Sequence, residues 1–78
     1  MGVFVGVDME NVYRLIERGS TTGPYFTTSA FGEVYHAAVK HTKETGKYVY
    51  IYDKDGFRGQ TKKHKQGKQV IEVTVQWS

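Results

Sequence analysis

Residues 31–42, FGEVYHAAVKHT, place apolar side chains at the spacing of an α-helix. Positions i, i+3, i+4, i+7, i+8 and i+11 share one helical face. In this stretch they hold Phe31, Val34, Tyr35, Ala38, Val39 and Thr42. The pattern predicts a helix over 29–45, with Thr28 or Ser29 as its N-terminal cap and Gly46 at its end. We expect its apolar face to belong to the core.

The residues after this helix alternate with the period of a β-strand. Between Lys47 and Asp53, Val49 and Ile51 fall on one side and the tyrosines fall on the other, which are Tyr48, Tyr50 and Tyr52. A turn at 53–56, a polar strand at 57–64, a turn at 65–67 and a last strand at 70–77 complete an antiparallel meander. We expect the helix to cover the side with Val49 and Ile51, together with Ile71, Val73 and Val75 of the last strand. The tyrosines would then lie on the other face of the sheet.

The N-terminal third gives weaker signals. Residues 3–7, VFVGV, predict a short strand. Residues 8–18 favour a second helix, capped by Asp8 and ended by Gly19, because a strand would mix Arg14 and Arg18 with Val12 and Ile16 on one face. That segment remains open between helix and strand. Residues 19–28 predict a loop with a short extended piece at 25–26.

These elements define the fold class and its limits. They predict an α+β domain in which a small antiparallel sheet packs on one helix. The domain has at most one further helix, which is short and N-terminal. A chain of 78 residues is expected to form a single domain, 1–78, with a small core. It has no cysteine, no recognisable signal peptide and no long apolar run, so we expect a cytoplasmic protein without disulfides or membrane contact. A homodimer is compatible with so small a core.

Basic residues are concentrated in one segment. Residues 58–68, RGQTKKHKQGK, hold five of the eleven lysines and arginines and no acid, whereas the rest of the chain has six basic and eight acidic residues. Such a segment is typical of contact with phosphate or carboxylate groups. Lysines on an edge strand also prevent aggregation, which is the alternative interpretation. The predicted contact residues are Arg58, Lys62, Lys63, His64, Lys65 and Lys68.

The tyrosines add a second candidate feature. Tyr48, Tyr50 and Tyr52 are spaced by two, as are the aromatic residues that stack bases on RNA-binding sheets. Aromatic residues in this arrangement also serve as anchors for protein partners, or simply stabilise a half-exposed strand. If the tyrosines face solvent beside the basic segment, both features belong to one contact surface.

The sequence contains no pattern of residues typical of catalysis or metal binding. The turn DKDG at 53–56 opens like a calcium loop, but the fifth and twelfth positions hold Phe57 and His64, which cannot replace the required oxygen ligands. His36 and His41 lie about 140° apart around a helix, so they cannot share a metal ion. We therefore predict no cofactor, no metal site and no enzymatic activity.

One short run resembles a known family. Residues 3–11, VFVGVDMEN, resemble the opening of the NYN-type, PIN-like nucleases, in which an Asp at the end of the first strand binds metal and an Asn follows three residues later. The resemblance implies metal-dependent cleavage by Asp8 and Asn11 with Asp53 or Asp55. It covers these nine positions alone, and the later acidic residues do not supply the converging carboxylates that two-metal chemistry needs. A nuclease is therefore the third of the hypotheses.

The sequence favours a non-enzymatic binding module. In this hypothesis the basic hairpin, 58–68, contacts the phosphates of DNA or RNA with low sequence specificity, and the tyrosine face assists. The alternative is a small inhibitor or adaptor that covers an acidic surface or groove of another protein, including a protein that handles nucleic acid. Steep salt dependence would favour the first hypothesis over the second.

Overall fold

A computed structural model describes residues 11–78 as five strands and one helix. The elements are β1 (Tyr13–Glu17), β2 (Phe26–Thr28), α1 (Phe31–Thr45), β3 (Val49–Asp53), β4 (Gly56–Gln66) and β5 (Gln69–Trp77). All neighbouring strands are antiparallel, and their order across the sheet is β2-β1-β3-β4-β5. The predicted α+β fold with one helix on an antiparallel sheet is confirmed. The strand predicted at 3–7 lies outside the described residues.

The helix forms where its periodicity predicts, and it ends as expected. Its buried side chains are Val34, Ala38, Val39 and Thr42. After Thr45, Gly46 adopts φ 77° and donates its backbone N–H to the carbonyl of Thr42 at 2.8 Å. The prediction was wrong for Phe31 and Tyr35, which are both exposed. Phe31 packs at the margin of the core instead, with its ring centre 5.6 Å from that of Tyr13 and 5.4 Å from that of Trp77.

The start of α1 differs from the predicted cap. Ala30 occupies the N-cap position and has no side chain that could accept a hydrogen bond. The hydroxyl of Thr28 instead accepts the backbone N–H of Ala30 at 3.0 Å and donates to the carboxylate of Glu33. Thr28, which lies two residues before the N-cap position, therefore orders the first turn of α1.

The second predicted helix is wrong for the part that the structure describes. Residues 13–17 form β1, which pairs with β2 on one side and β3 on the other. Leu15 is fully buried opposite Ile51, and this burial offsets the poor alternation of the segment. Arg14 is tolerated on the other face because its guanidinium donates to the carbonyl of Asp53 at 3.1 Å. Residues 8–10 of that predicted helix lie outside the described part of the chain.

The core lies between α1 and one face of the sheet. Leu15, Val49 and Ile51 of the sheet pack against Val34 and Ala38 of the helix. At one end of this core the indole of Trp77 lies over Gly59, where a β-carbon would come within 2.7 Å of the carbonyl oxygen of Gln76. A glycine is required there because no side chain fits beneath the ring.

Two threonines join the other end of the core. The hydroxyls of Thr42 and Thr61 are 2.7 Å apart, and both residues are buried. Thr42 donates its single hydroxyl proton to the carbonyl of Lys47, so Thr61 donates to Thr42 and accepts the backbone N–H of Val49. The chain of hydrogen bonds holds the end of α1, the start of β3 and the middle of β4 together. Within residues 11–78, no helix has the length and apolar character to span a membrane.

Candidate nucleic-acid interface

The strands β4 and β5 extend beyond the rest of the sheet as a two-stranded ribbon. β3 pairs with β4 only as far as Gln60, whereas β4 and β5 remain paired to Gln66 and Gln69. We call residues 62–72 the basic ribbon. Its turn has Gly67 at φ 65° in the first central position, as a type II′ hairpin turn requires. The molecule is 54 Å long and 26 × 21 Å across.

Three lysines of the basic ribbon are exposed to solvent. These are Lys62, Lys65 and Lys68. Across the described residues their side chains take part in none of the ion pairs, hydrogen bonds or cation–π contacts. Their charges are therefore available to a partner, and the nearest acid in the ribbon is Glu72 at its base, opposite His64.

Two predicted contact residues at the base of the ribbon have structural partners instead. The ammonium group of Lys63 donates to the carbonyl of Gly46 at the C-terminus of α1, where it complements the helix dipole. It also lies 4.9 Å from the ring centre of Tyr48. His64 hydrogen bonds through Nε2 to the hydroxyl of Thr74 at 2.8 Å. Both residues stiffen the base of the ribbon.

Arg58 lies at the opposite end of β4, roughly 25 Å along the strand from Gln66. Its Nε donates to Asp53 at 2.7 Å, and its Nη2 lies 3.4 Å from Asp55. Burial works to raise the pKa of the Asp53 carboxyl, but hydrogen bonds from Arg58 and the backbone N–H of Asp55 outweigh it and lower the pKa. The structure thus separates Arg58 from the basic ribbon and neutralises it.

The face of the sheet opposite α1 forms one continuous surface. In residues 11–78 the helix packs on one face only. The open face carries Arg14, Ile16, Tyr50, Tyr52, Phe57, Gln60, Lys62, His64, Glu72, Thr74 and Gln76. Tyr50 is opposite Gln60, and Lys62 is the next residue of β4 on that face. The tyrosines and the ribbon therefore meet on the same side of the sheet, and we keep the name open face for this surface.

The aromatic side chains of the open face form a cluster. Phe57 contacts Tyr50 and Tyr52 edge-on, with ring centres 6.0 and 5.7 Å apart. Phe57 is exposed, while both tyrosines are half-buried. Tyr48 does not join them, because its ring lies against Arg18 at 5.7 Å and Lys63 at 4.9 Å. The stripe of three tyrosines predicted from the sequence is therefore a pair with Phe57 as the third ring.

Ile71 does not lie in the core, contrary to the prediction. The pairing of β4 with β5 shifts between His64 and Lys65, which leaves Ile71 as an extra residue without a cross-strand partner. Ile71 is 59% exposed and Val70 is 42% exposed. Together with Lys43 and Lys63 they line a groove of about 330 Å³ beside the C-terminus of α1.

A second polar cluster lies at the edge of the sheet, away from the ribbon. His41 donates through Nε2 to the carboxylate of Glu17 at 2.8 Å, and Lys47 lies 3.4 Å from the same group. The hydrogen bond from His41 lowers the pKa of Glu17, against its partial burial and with help from Lys47. Tyr25 stacks on His41 with ring centres 3.9 Å apart, and its burial and the charge of Glu17 raise its pKa to about 12.

This second cluster lacks the groups for a metal site. It borders a groove of about 530 Å³ between Tyr25 and α1, into which His36 and Lys40 also project. Among residues 11–78, no three His, Asp or Glu side chains are grouped so that they could hold a metal ion. Asp53 and Asp55, named by the nuclease resemblance, are paired with Arg58, and Asp8 lies outside the described residues.

Sequence reasoning missed three residues of the open face. Phe57, Gln60 and Arg14 were not singled out, although strict alternation along β4 would have placed Gln60 beside Lys62. Phe57 is displaced from that alternation by the register shift between Ile51 and Tyr52, which the sequence does not indicate. Arg14 was hidden by the helix predicted at 8–18.

Comparisons with known proteins add no further assignment. Searches of protein-family models, curated protein sequences and solved structures found no match to the chain.

Proposed function

We propose that this protein is a non-enzymatic module that binds nucleic acid through the phosphates. The observation that carries the proposal is the set of three exposed lysines, Lys62, Lys65 and Lys68, which have no acidic partner within the described residues. A lysine that is already paired gains little from a phosphate, whereas an unpaired one releases the counterions of the nucleic acid on binding.

The position of the lysines supports the proposal as well as their number. Lys65 and Lys68 lie at the distal end of the ribbon, and Lys62 lies on the open face at its base. At the opposite end of the molecule, Asp53 and Asp55 are paired with Arg58. A charge distribution with one cationic end orients the molecule towards a polyanion during its approach.

The open face provides a secondary contact in this proposal. Tyr50, Tyr52 and Phe57 offer aromatic surface within the same row of side chains as Lys62. Aromatic rings next to cations stack on exposed bases or pack against sugars. We expect low sequence specificity from phosphate contacts, because phosphates are the same at every base pair.

The proposal is tested by fluorescence anisotropy with labelled single- and double-stranded DNA and RNA at about 50 and about 200 mM salt. With three phosphate contacts the slope of log K against log salt is about −2.7 for duplex DNA, so affinity falls by roughly 40-fold over this range. The variant Lys62→Glu, Lys65→Glu, Lys68→Glu is expected to lose binding at the lower salt.

The matched control changes two exposed lysines elsewhere. Lys40→Glu, Lys54→Glu alters the net charge without touching the ribbon, and it is expected to weaken binding far less than Lys65→Glu, Lys68→Glu. Circular dichroism of every variant verifies folding. Equal losses in the two double variants, or undiminished affinity in the triple variant, would refute the proposal.

A second candidate function is favoured by Val70 and Ile71. These two apolar side chains are exposed on the ribbon next to Lys43 and Lys63. A mixed basic and apolar surface suits an acidic groove of another protein, and an inhibitor or adaptor of that kind is the alternative that we propose.

The two candidates differ in their response to one variant. Ile71→Ser removes an exposed anchor that makes no described contact with the core cluster and leaves all lysines in place. It is expected to leave nucleic-acid affinity within about twofold, because phosphate contacts supply that affinity. If the chain binds a protein through this groove, the same change is expected to weaken that complex at least about tenfold.

A further inference from the structure

We infer that the nucleic acid is duplex DNA and that the distal end of the basic ribbon enters its major groove. This inference rests on the proposed function and names the substrate class for the same site. It concerns residues 64–72, where β4 and β5 pair with each other beyond the end of the pairing between β3 and β4.

The dimensions of the ribbon fit the groove. Two paired strands lie about 4.8 Å apart, and the major groove of B-DNA is about 12 Å wide and admits a two-stranded ribbon. Three cross-strand pairs, His64 with Glu72, Lys65 with Val70 and Gln66 with Gln69, extend the ribbon. At about 3.3 Å per residue they span roughly 10 Å, which is comparable to the groove depth of about 8.5 Å. The body of the protein, by contrast, is five strands wide and carries a helix.

The side chains at the distal end suit base edges flanked by phosphates. Gln66 and Gln69 lie directly opposite each other and are both exposed. A glutamine amide both donates and accepts, as contacts with adenine in the major groove require. Lys65 and Lys68 stand beside these amides, and no acid occurs between Asp55 and Glu72. The end of the ribbon is therefore cationic at its margins and carries amides at its centre.

The same features disfavour the other nucleic acids. The major groove of an RNA duplex is deep and narrow, so side chains cannot read it. Single strands are bound mainly by stacking on free aromatic faces. Here Tyr48 is occupied by Arg18 and Lys63, and Phe57 packs edge-on against both remaining tyrosines. The open face thus offers less stacking surface than its composition suggests.

The test compares three probes of one sequence by anisotropy at about 50 mM salt: a DNA duplex of about 16 base pairs, the corresponding RNA duplex and the single DNA strand. We expect the DNA duplex to bind at least about tenfold more tightly than the RNA duplex, although both carry similar charge. Equal affinity for the two duplexes, or tighter binding of the single strand, overturns the inference and leaves the proposed function standing. Failure to bind any of the three overturns both.

A pair of variants locates the contact on the protein. Gln66→Ala, Gln69→Ala removes the amides of the distal end, and Gln60→Ala, Gln76→Ala removes a second cross-strand pair of glutamines, which lies on the open face of the body. We expect the distal variant to lower affinity for the DNA duplex about tenfold, with less effect on the RNA duplex. A larger loss from the Gln60 and Gln76 variant would place the nucleic acid on the open face and overturn the inference.

Discussion

Basic residues of the segment 58–68 are paired with acids at one end of β4 and exposed at the other. Arg58, near its start, is held by Asp53 and Asp55, whereas Lys65 and Lys68 at the other end and in the following turn are exposed and without acidic partners in residues 11–78. Each of these three residues contributes one positive charge to the total that the sequence displays. Only the ribbon end offers charge to a partner, so the density of charge in a sequence overstates the charge that a surface can use.

Burial is the physical reason for the difference. Asp53 is only 4% exposed, and a buried carboxylate must be paired or hydrogen bonded. Arg58 therefore serves the fold. Among the described residues, no buried carboxylate lies in the ribbon, so nothing there compels Lys65 and Lys68 to pair.

The largest difference between the two ends of β4 is expected in the affinity for a DNA duplex. Lys65→Gln, Lys68→Gln should weaken binding to a DNA duplex by roughly tenfold at about 50 mM salt and leave the thermal midpoint unchanged. Arg58→Gln should do the reverse, with nearly unchanged affinity and a lower midpoint, because Asp53 loses its cationic partner. Anisotropy and thermal denaturation monitored by circular dichroism measure the two effects. A loss of affinity in the Arg58 variant as large as that in the lysine variant would contradict the separation of the ends.

Gly59 lies at the same end of β4 as Arg58. Gly59→Ala is expected to destabilise the fold by about 3 kcal/mol, because the added methyl group meets the carbonyl of Gln76 at 2.7 Å and the ring of Trp77 at 3.2 Å. Gly32→Ala is the matched control, since that position in α1 has no heavy atom within 4 Å of an added methyl group. It should stabilise the protein by up to about 1 kcal/mol. Urea denaturation measures both values, and equal effects would refute the close packing of Trp77 on Gly59.

The hydrogen-bonded residues Thr42 and Thr61 lie where the ribbon joins the rest of the sheet. Thr61→Val retains the shape of the side chain but leaves the buried N–H of Val49 without an acceptor, at a cost of about 2 kcal/mol. Thr61→Ser restores the hydroxyl and should recover most of this loss. Below the unfolding midpoint, the affinity for DNA should be unaffected in both variants. Urea denaturation measures the stability and anisotropy measures the affinity. A Thr61→Val variant as stable as the natural chain would contradict a stabilising role for the hydrogen bond between Thr61 and the N–H of Val49.

The smallest expected effect is on the pH dependence of stability. The pKa values of Asp53 and Glu17 are lower in the folded protein than in the unfolded chain. Their contribution is therefore complete above the ordinary carboxyl range of about pH 4 and is lost as the pH falls through the folded values. The thermal midpoint should decrease from about pH 6 to about pH 3, and less steeply in Asp53→Asn. An identical profile in that variant would show that Asp53 is not stabilised by Arg58.

Much of the fold could be predicted because its main signals are periodic. The face of α1 and the alternation in β3 follow directly from the spacing of apolar residues, and Gly46 ends the helix as expected. The strand β1 could not be predicted in the same way. Its stability depends on burying Leu15 against a helix and a strand that follow it in the chain by many residues, and local pattern contains no such information.

The candidate site was predicted in composition but not in arrangement. The lysines of the ribbon were identified, whereas the pairing of Arg58 with Asp53 and the capping of α1 by Lys63 depend on tertiary contacts. The exposure of Ile71 depends on a shift of one residue in the pairing of β4 with β5. Register shifts of this kind reverse which face a side chain occupies, and a single sequence does not indicate where they fall.

The most direct test of the central claim is the slope of log K against log salt for binding to a DNA duplex. It is measured for the natural chain, for Lys62→Gln, Lys65→Gln, Lys68→Gln and for Arg58→Gln. Each lysine that contacts a phosphate contributes about 0.9 to the slope, so the triple variant should lose roughly 2.7 and the Arg58 variant nearly nothing. An unchanged slope in the triple variant, or an equal loss per residue on replacement of Arg58, would contradict the assignment of phosphate binding to the ribbon.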